Sequence, residues 1–168
     1  MATVQKTAGQ KIAPCLWFDT NGEEAVKFYT GLFSNSRIVH TMYWGDENPE
    51  KKGKVLFIEF ELDGQPFQAL NGGPEFHFSE AISLSVACED QAEVDKFWKA
   101  LVADGGKEVQ CGWLKDKFGL SWQIVPKEMF AYMKDPDKAK VARVMKAMMQ
   151  MVKFDVAKLR EAAAAKAA

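Results

Sequence analysis

The stretch IAPCLWFDTNGEEAVKFYTGLF, residues 12–33, joins an apolar strand to an amphipathic helix. Ile12–Phe18 is mostly apolar, and Pro14 inside it points to an edge or irregular strand. Asp19-Thr20-Asn21 offers capping side chains. Over Gly22 to Phe33, Ala25, Phe28, Tyr29 and Leu32 recur at helical spacing, while Glu23, Glu24 and Lys27 take the other face. The same order returns later: Ala81–Cys88 is a strand, Glu89-Asp90 a cap, and Gln91–Ala103 a helix carrying Val94, Phe97, Trp98 and Leu101. Each strand–helix pair is followed by extended segments. These are Arg37–Trp44, Lys54–Leu62 and Gln65–Asn71 in the first half, and Glu108–Leu114 and Leu120–Pro126 in the second. One such unit is too small to bury both faces of its sheet; two side by side can form one curved sheet with a cavity.

The connections agree with this reading. Gly45–Gly53, with Pro49 and the acidic Asp46, Glu47 and Glu50, is an exposed loop. Asp63-Gly64 is a tight hairpin turn. Gly105-Gly106 ends the second helix, and Asp116–Gly119 turns the second hairpin. Beyond Pro126 the chain becomes helical, over Lys127–Lys134, Pro136–Met151 and Asp155–Ala168, with Asp135-Pro136 read as a cap and a first-turn proline. The expected organisation is an arm (1–10), two modules (11–74 and 75–126) and a C-terminal helical extension (127–168). The fold class is α+β.

Composition excludes several functions. The 168 residues are 48% hydrophobic and 27% charged, with net charge −1, which gives no field for nucleic acid. No apolar run approaches the roughly 20 residues that span a bilayer, and residues 1–10 have no apolar leader core, so a cytoplasmic protein is expected. Cys15, Cys88 and Cys111 are an odd set without CxxC spacing. There is no glycine-rich strand-to-helix loop for a nucleotide or S-adenosylmethionine, no P-loop and no nucleophile elbow. His40 and His77 are the only histidines, which excludes a histidine-rich metal cluster.

The run Cys111-Gly112-Trp113-Leu114-Lys115-Asp116-Lys117-Phe118-Gly119-Leu120-Ser121-Trp122-Gln123-Ile124-Val125-Pro126 is distinctive. With Phe67-Gln68-Ala69-Leu70-Asn71-Gly72-Gly73 and Lys27-Phe28-Tyr29, it resembles the PhnB-like proteins of the vicinal oxygen chelate superfamily, the glyoxalase/bleomycin-resistance/dioxygenase fold. Some of these carry the name 3-demethylubiquinone-9 3-methyltransferase. The resemblance covers roughly residues 11–152. It implies paired βαβββ modules, often a homodimer, and a divalent metal held by four strand positions.

Carried onto this chain, those four positions are Pro14, Gln68, Ala81 and Gln123. Proline and alanine side chains have no lone pair, and two neutral glutamines do not supply the donors that zinc, iron or magnesium sites use. No metal or other cofactor is therefore expected. With Gln68 and Gln123 facing the concavity, the period-two rule assigns Pro14, Leu16, Phe18, Leu70, Ser83, Ser85 and Ser121 to the same side. Trp17, Phe67, Ile82, Leu84, Val86, Trp122 and Ile124 go beneath the helices. Trp44 is a further candidate for stacking on a flat ligand.

The expected function is the binding of a small organic molecule in a cavity that has lost its metal ligands, with catalysis left open. The alternatives are a methyltransferase of the named type, or a dimeric interaction module built on the C-terminal helices.

Overall fold

The computed structural model describes residues 10–165; the expected arm over 1–10 lies outside this range except for Gln10, as does the expected helix end at 166–168. The chain divides into two units, one running to His77 and the other starting at Phe78.

In the first unit, β1 (Cys15–Phe18) leads to α1 (Gly22–Leu32), then β2 (Arg37–Tyr43), β3 (Val55–Leu62) and β4 (Gln65–Asn71). They form a four-stranded sheet in the order β1-β4-β3-β2. β1 runs parallel to β4, and the other pairs are antiparallel. Asp63 (φ 47) and Gly64 (φ 75) make the β3–β4 turn, both in the left-handed region that a tight hairpin needs. β1 begins at Cys15 rather than Ile12 because Pro14 has no N–H for the ladder; its carbonyl accepts from the Gln68 amide at 2.9 Å. Of the expected cap residues, Asn21 occupies the N-cap position of α1 without a side-chain bond. Asn71 does that work from the end of β4: its Oδ1 accepts from Gly22 N and its Nδ2 donates to the Val55 carbonyl.

The second unit repeats the plan with β5 (Leu84–Cys88), α2 (Gln91–Val102), a 3-10 turn at Ala103–Gly105, then β6 (Lys107–Glu108), β7 (Trp113–Lys115) and β8 (Ser121–Pro126). The sheet order is β5-β8-β7-β6, with β5 parallel to β8. Asp90 caps α2, accepting from Glu93 N at 2.9 Å, as expected. The expected strand Glu108–Leu114 is in fact two short strands. Cys111 (φ 59) and Gly112 (φ 79) turn the chain between them. Ala81 and Ile82 precede β5 and are exposed, so Ile82 does not pack beneath a helix.

The α+β class expected from paired modules is present: each unit carries a four-stranded mixed sheet with one parallel pair, covered on one face by its own helix. Val26 and Tyr29 of α1 are buried with Leu16, Phe18, Ile58, Phe60 and Phe67; Val94, Phe97, Trp98 and Leu101 of α2 with Trp122, Ile124 and Leu114. Burying a side chain of this kind contributes about 1.5–3 kcal/mol.

Three helices close the second unit: α3 (Lys127–Met133), α4 (Lys138–Met148) and α5 (Val156–Ala164). The cap of α4 is Asp137, accepting from Ala139 N and Lys140 N, not Asp135; Pro136 therefore stands before the helix. The segment between α4 and α5 is laced onto the β6–β7 turn. Cys111 N and Gly112 N donate to the Met151 and Val152 carbonyls at 2.8 Å each. Phe154, 2% exposed, lies against Gly112, where a Cβ would come within 2.2 Å of its ring.

Candidate functional site

Each sheet has one face under its helix and one face turned away from it, and strand register decides which residues share a face. In the first sheet Leu16 stands opposite Ala69 and Phe18 opposite Asn71, on the α1 side. Leu16 and Phe18 are buried there, so they do not share a face with Gln68. Their expected place in the cavity lining is corrected: the parallel β1–β4 register aligns Cys15 and Trp17, not Leu16 and Phe18, with Gln68 and Leu70. Trp17 accordingly moves to the other side from the one expected.

On the face away from α1, the register lines up His40, Glu59, Gln68 and Cys15 across all four strands. Directly opposed residues in such a ladder have Cβ atoms about 4.5–5.5 Å apart. Gln68 is half-buried, and its amide makes no side-chain bond to another described residue. The Oε2 of Glu59 is buried and has no hydrogen-bond partner. Two residues along the strands, Met42, Phe57, Leu70 and Trp17 form a second, apolar row. Two residues the other way along β3, on the same face, Glu61 is paired with Arg37 at 2.8 Å.

In the second sheet, β5 pairs Leu84 with Trp122 and Ser85 with Gln123. Gln123, Ser85 and Ser121 therefore lie away from α2, with Trp113 and Lys115 beside them on β7. Gln123 Nε2 donates to Ser83 Oγ at 2.9 Å. Ser121 is 1% exposed, and its Oγ has no hydrogen-bond partner. Ala81 lies in the exposed approach to β5.

Trp44 is elsewhere. It lines a recess of about 340 Å³ with Tyr43, Lys51, Lys54 and Asp19, but not with Gln68. The Lys51 ammonium stands 5.5 Å from the centre of its ring. A larger recess of about 810 Å³ lies where α2 and α5 begin, and its charged groups and Gln91 are already engaged. Gln91 bonds Asp95, the Phe154 carbonyl and Val156 N; Lys153 pairs with Asp95, and Arg160 with Glu128. His77 is exposed. Cys88 is fully buried, and desolvation, aided by Glu93 and Asp90, pushes its thiol up to about 12, which leaves it unreactive.

Within the distinctive 111–126 run, Asp116 is the residue whose role was missed. Only 3% exposed, it accepts from Phe118 N, Leu120 N and Trp122 Nε1. An aspartate at a turn was a readable signal for the bond to the amide two residues on, Phe118 N, whereas the bond to Trp122 had no local signal. Glu59 was also missed: in sequence it is one of two acidic residues alternating along an otherwise apolar strand, and only the register sets it beside Gln68.

The pattern of the family described as 3-demethylubiquinone-9 3-methyltransferase matches residues 10–125. The chain belongs to this PhnB-like family. A PhnB protein from Bacillus cereus is 36% identical over 70% of this chain and 99% of its own, with a TM-score of 0.64. Protein PA1353 from Pseudomonas aeruginosa is 22% identical over 67% of this chain and 94% of its own, with a TM-score of 0.57, which shows a shared fold. A comparison with curated proteins finds no match. The family's extent is informative: it spans both strand–helix–strand units and stops at Val125, before the three final helices. In this PhnB-like chain they form part of the second unit, and the segment between α4 and α5 is bonded to the β6–β7 turn.

Proposed function

We propose that this PhnB-like protein binds a small organic molecule on the helix-free sheet faces without a metal ion. One observation carries the reading. In each sheet a buried oxygen without a hydrogen-bond partner lies next to a family ligand position held by glutamine. Glu59 Oε2 is cross-strand from Gln68, and Ser121 precedes Gln123 by two residues on the same face. A buried polar atom left unpaired costs about 1–3 kcal/mol, and folds retain such atoms where a ligand or water satisfies them. Glutamine amides both donate and accept, which suits recognition of a neutral polar group.

The donor set supports the absence of a metal. Pro14 spends its carbonyl on Gln68 N, Ala81 has no donor, and Gln123 is bonded to Ser83. These residues do not fit the charge or softness that transition-metal sites require. Incubation with Ni²⁺, Zn²⁺ and Mn²⁺ followed by mass-spectrometric metal analysis is expected to find no stoichiometric ion; a tight equimolar site would overturn this part of the reading. Native mass spectrometry of freshly purified protein is expected to show a small-molecule adduct that Gln68→Ala and Gln123→Ala weaken. An adduct untouched by both substitutions would place the binding elsewhere.

The name of the family raises methyl transfer as a second reading. This chain has no glycine-rich strand-to-helix loop for S-adenosylmethionine. Calorimetry with that cofactor is expected to give no heat, and micromolar binding would reverse the preference. The family resemblance also supports a homodimer, for which light scattering of the full chain is the direct test.

A further inference from the structure

We infer that the helix-free face of the first sheet selects an organic cation: a protonated amine carried on an apolar or aromatic body. The inference rests on the small-molecule reading above and narrows it to one ligand chemistry. Two adjacent rows cross the sheet. The polar row His40, Glu59, Gln68 and Cys15 spans about 14 Å at ordinary strand spacing, and the apolar row Met42, Phe57, Leu70 and Trp17 lies about 7 Å along the strands.

Charge decides the ligand's head group. Two carboxylates occupy this face on β3, and they differ. Glu61 is neutralised by Arg37 through Nε at 2.8 Å and Nη2 at 3.1 Å. Glu59 has no cationic partner among the described residues, and its Oε2 is out of water. A carboxylate so placed is satisfied by a donor, and best by a charged one. An anion would be repelled, and a neutral acceptor would leave the oxygen unpaired. Gln68, beside Glu59, can accept a second N–H from the same head group. The neighbouring row is apolar: Phe57, Leu70 and the half-buried Trp17 offer a surface for a hydrocarbon or aromatic body, and Trp17 and Phe57 add ring faces that attract a cation. Trp17 is held in place by its own bond, Nε1 to the Gly73 carbonyl at 2.9 Å.

The test compares three probes of nearly equal size: 2-phenylethylamine, 2-phenylethanol and phenylacetate. Each is titrated at neutral pH into the full-length, isotope-labelled chain, with the Trp17 indole N–H signal followed by nuclear magnetic resonance. The amine is expected to bind at least about tenfold tighter than the alcohol, and phenylacetate more weakly than either. Glu59→Gln is expected to bring amine and alcohol within about twofold of each other. Glu61→Gln, which removes a carboxylate already engaged by Arg37, is expected to preserve the preference. Equal binding of amine and alcohol to the unaltered protein would overturn the inference while leaving small-molecule binding in place; so would a preference that survives Glu59→Gln. If no probe moves the Trp17 signal, both the inference and the first sheet's part in the proposed function fall. The comparison of probes on the unaltered chain stands whatever the stability of the variants.

Discussion

Trp122 donates its indole N–H to the buried carboxylate of Asp116 at 2.8 Å, across the turn between β7 and β8. The other carboxylate oxygen takes the amides of Phe118 and Leu120 at 2.9 and 3.0 Å. One side chain thus closes the turn and holds one of the two buried tryptophans of the second core. Asp116→Ala is expected to destabilise the protein by about 2–4 kcal/mol, because buried donors lose their acceptor. Urea unfolding measures it, and a loss below about 1 kcal/mol would show the bonds to be dispensable.

Phe154 and Gly112 make a second test. Phe154→Ala is expected to cost about 3–5 kcal/mol, as for other large-to-small core changes. Gly112→Ala is destabilising for two reasons: its φ is 79, and a Cβ there meets the Phe154 ring at 2.2 Å. In the double variant the alanine methyl enters space that the ring has left, so the combined loss should be smaller than the sum. Strict additivity in denaturant melts would contradict the contact.

The start of α1 distinguishes two asparagines. Asn71→Ala removes the acceptor for Gly22 N and the donor to Val55, and should cost about 1–2 kcal/mol. Asn21→Ala removes no side-chain cap bond and should be close to neutral. Thermal melts of the two variants should separate clearly; the reverse order would mean that the nearer asparagine caps the helix after all.

Cys88 makes stability depend on alkaline pH. Its thiol titrates near 9.0 in an unfolded chain and at about 12 in the fold, mainly through burial. Between these values the unfolded state has lost the proton and the folded state has kept it. Stability therefore falls as pH rises from 9 towards 12. Unfolding curves at pH 8 and pH 10 should show a greater loss for the unaltered protein than for Cys88→Ala. Parallel losses would remove Cys88 as the cause.

Most elements were legible in the residues because their signals are local. Period-3.6 runs gave both main helices, and Asp63-Gly64 announced its hairpin through the backbone angles that such a pair tolerates. The site was legible only in part. Gln68, Gln123, Ser85 and Ser121 lie on helix-free faces, as alternation along β4, β5 and β8 implies. Leu16 and Phe18 went to the wrong side because alternation fixes relative facing within a strand, whereas the offset between β1 and β4 depends on which partners pair. A one-residue difference in that offset exchanges Trp17 for Leu16. For the same reason Glu59 could not be connected with Gln68 until the ladder was known. The Glu108–Leu114 strand failed for another cause: Cys111 adopts a positive φ that its residue type does not announce.

The bonds from Cys111 and Gly112 to the carbonyls of Met151 and Val152 also set an order of events during synthesis. Every strand of the first sheet has been made once Asn71 is translated. The second sheet has its last strand by Pro126, yet its β6–β7 turn must wait for residues 151–154 to clear the ribosome. At roughly 5–20 residues per second the nascent chain spends at least a second or so with the Cys111 and Gly112 amides still without their carbonyl partners.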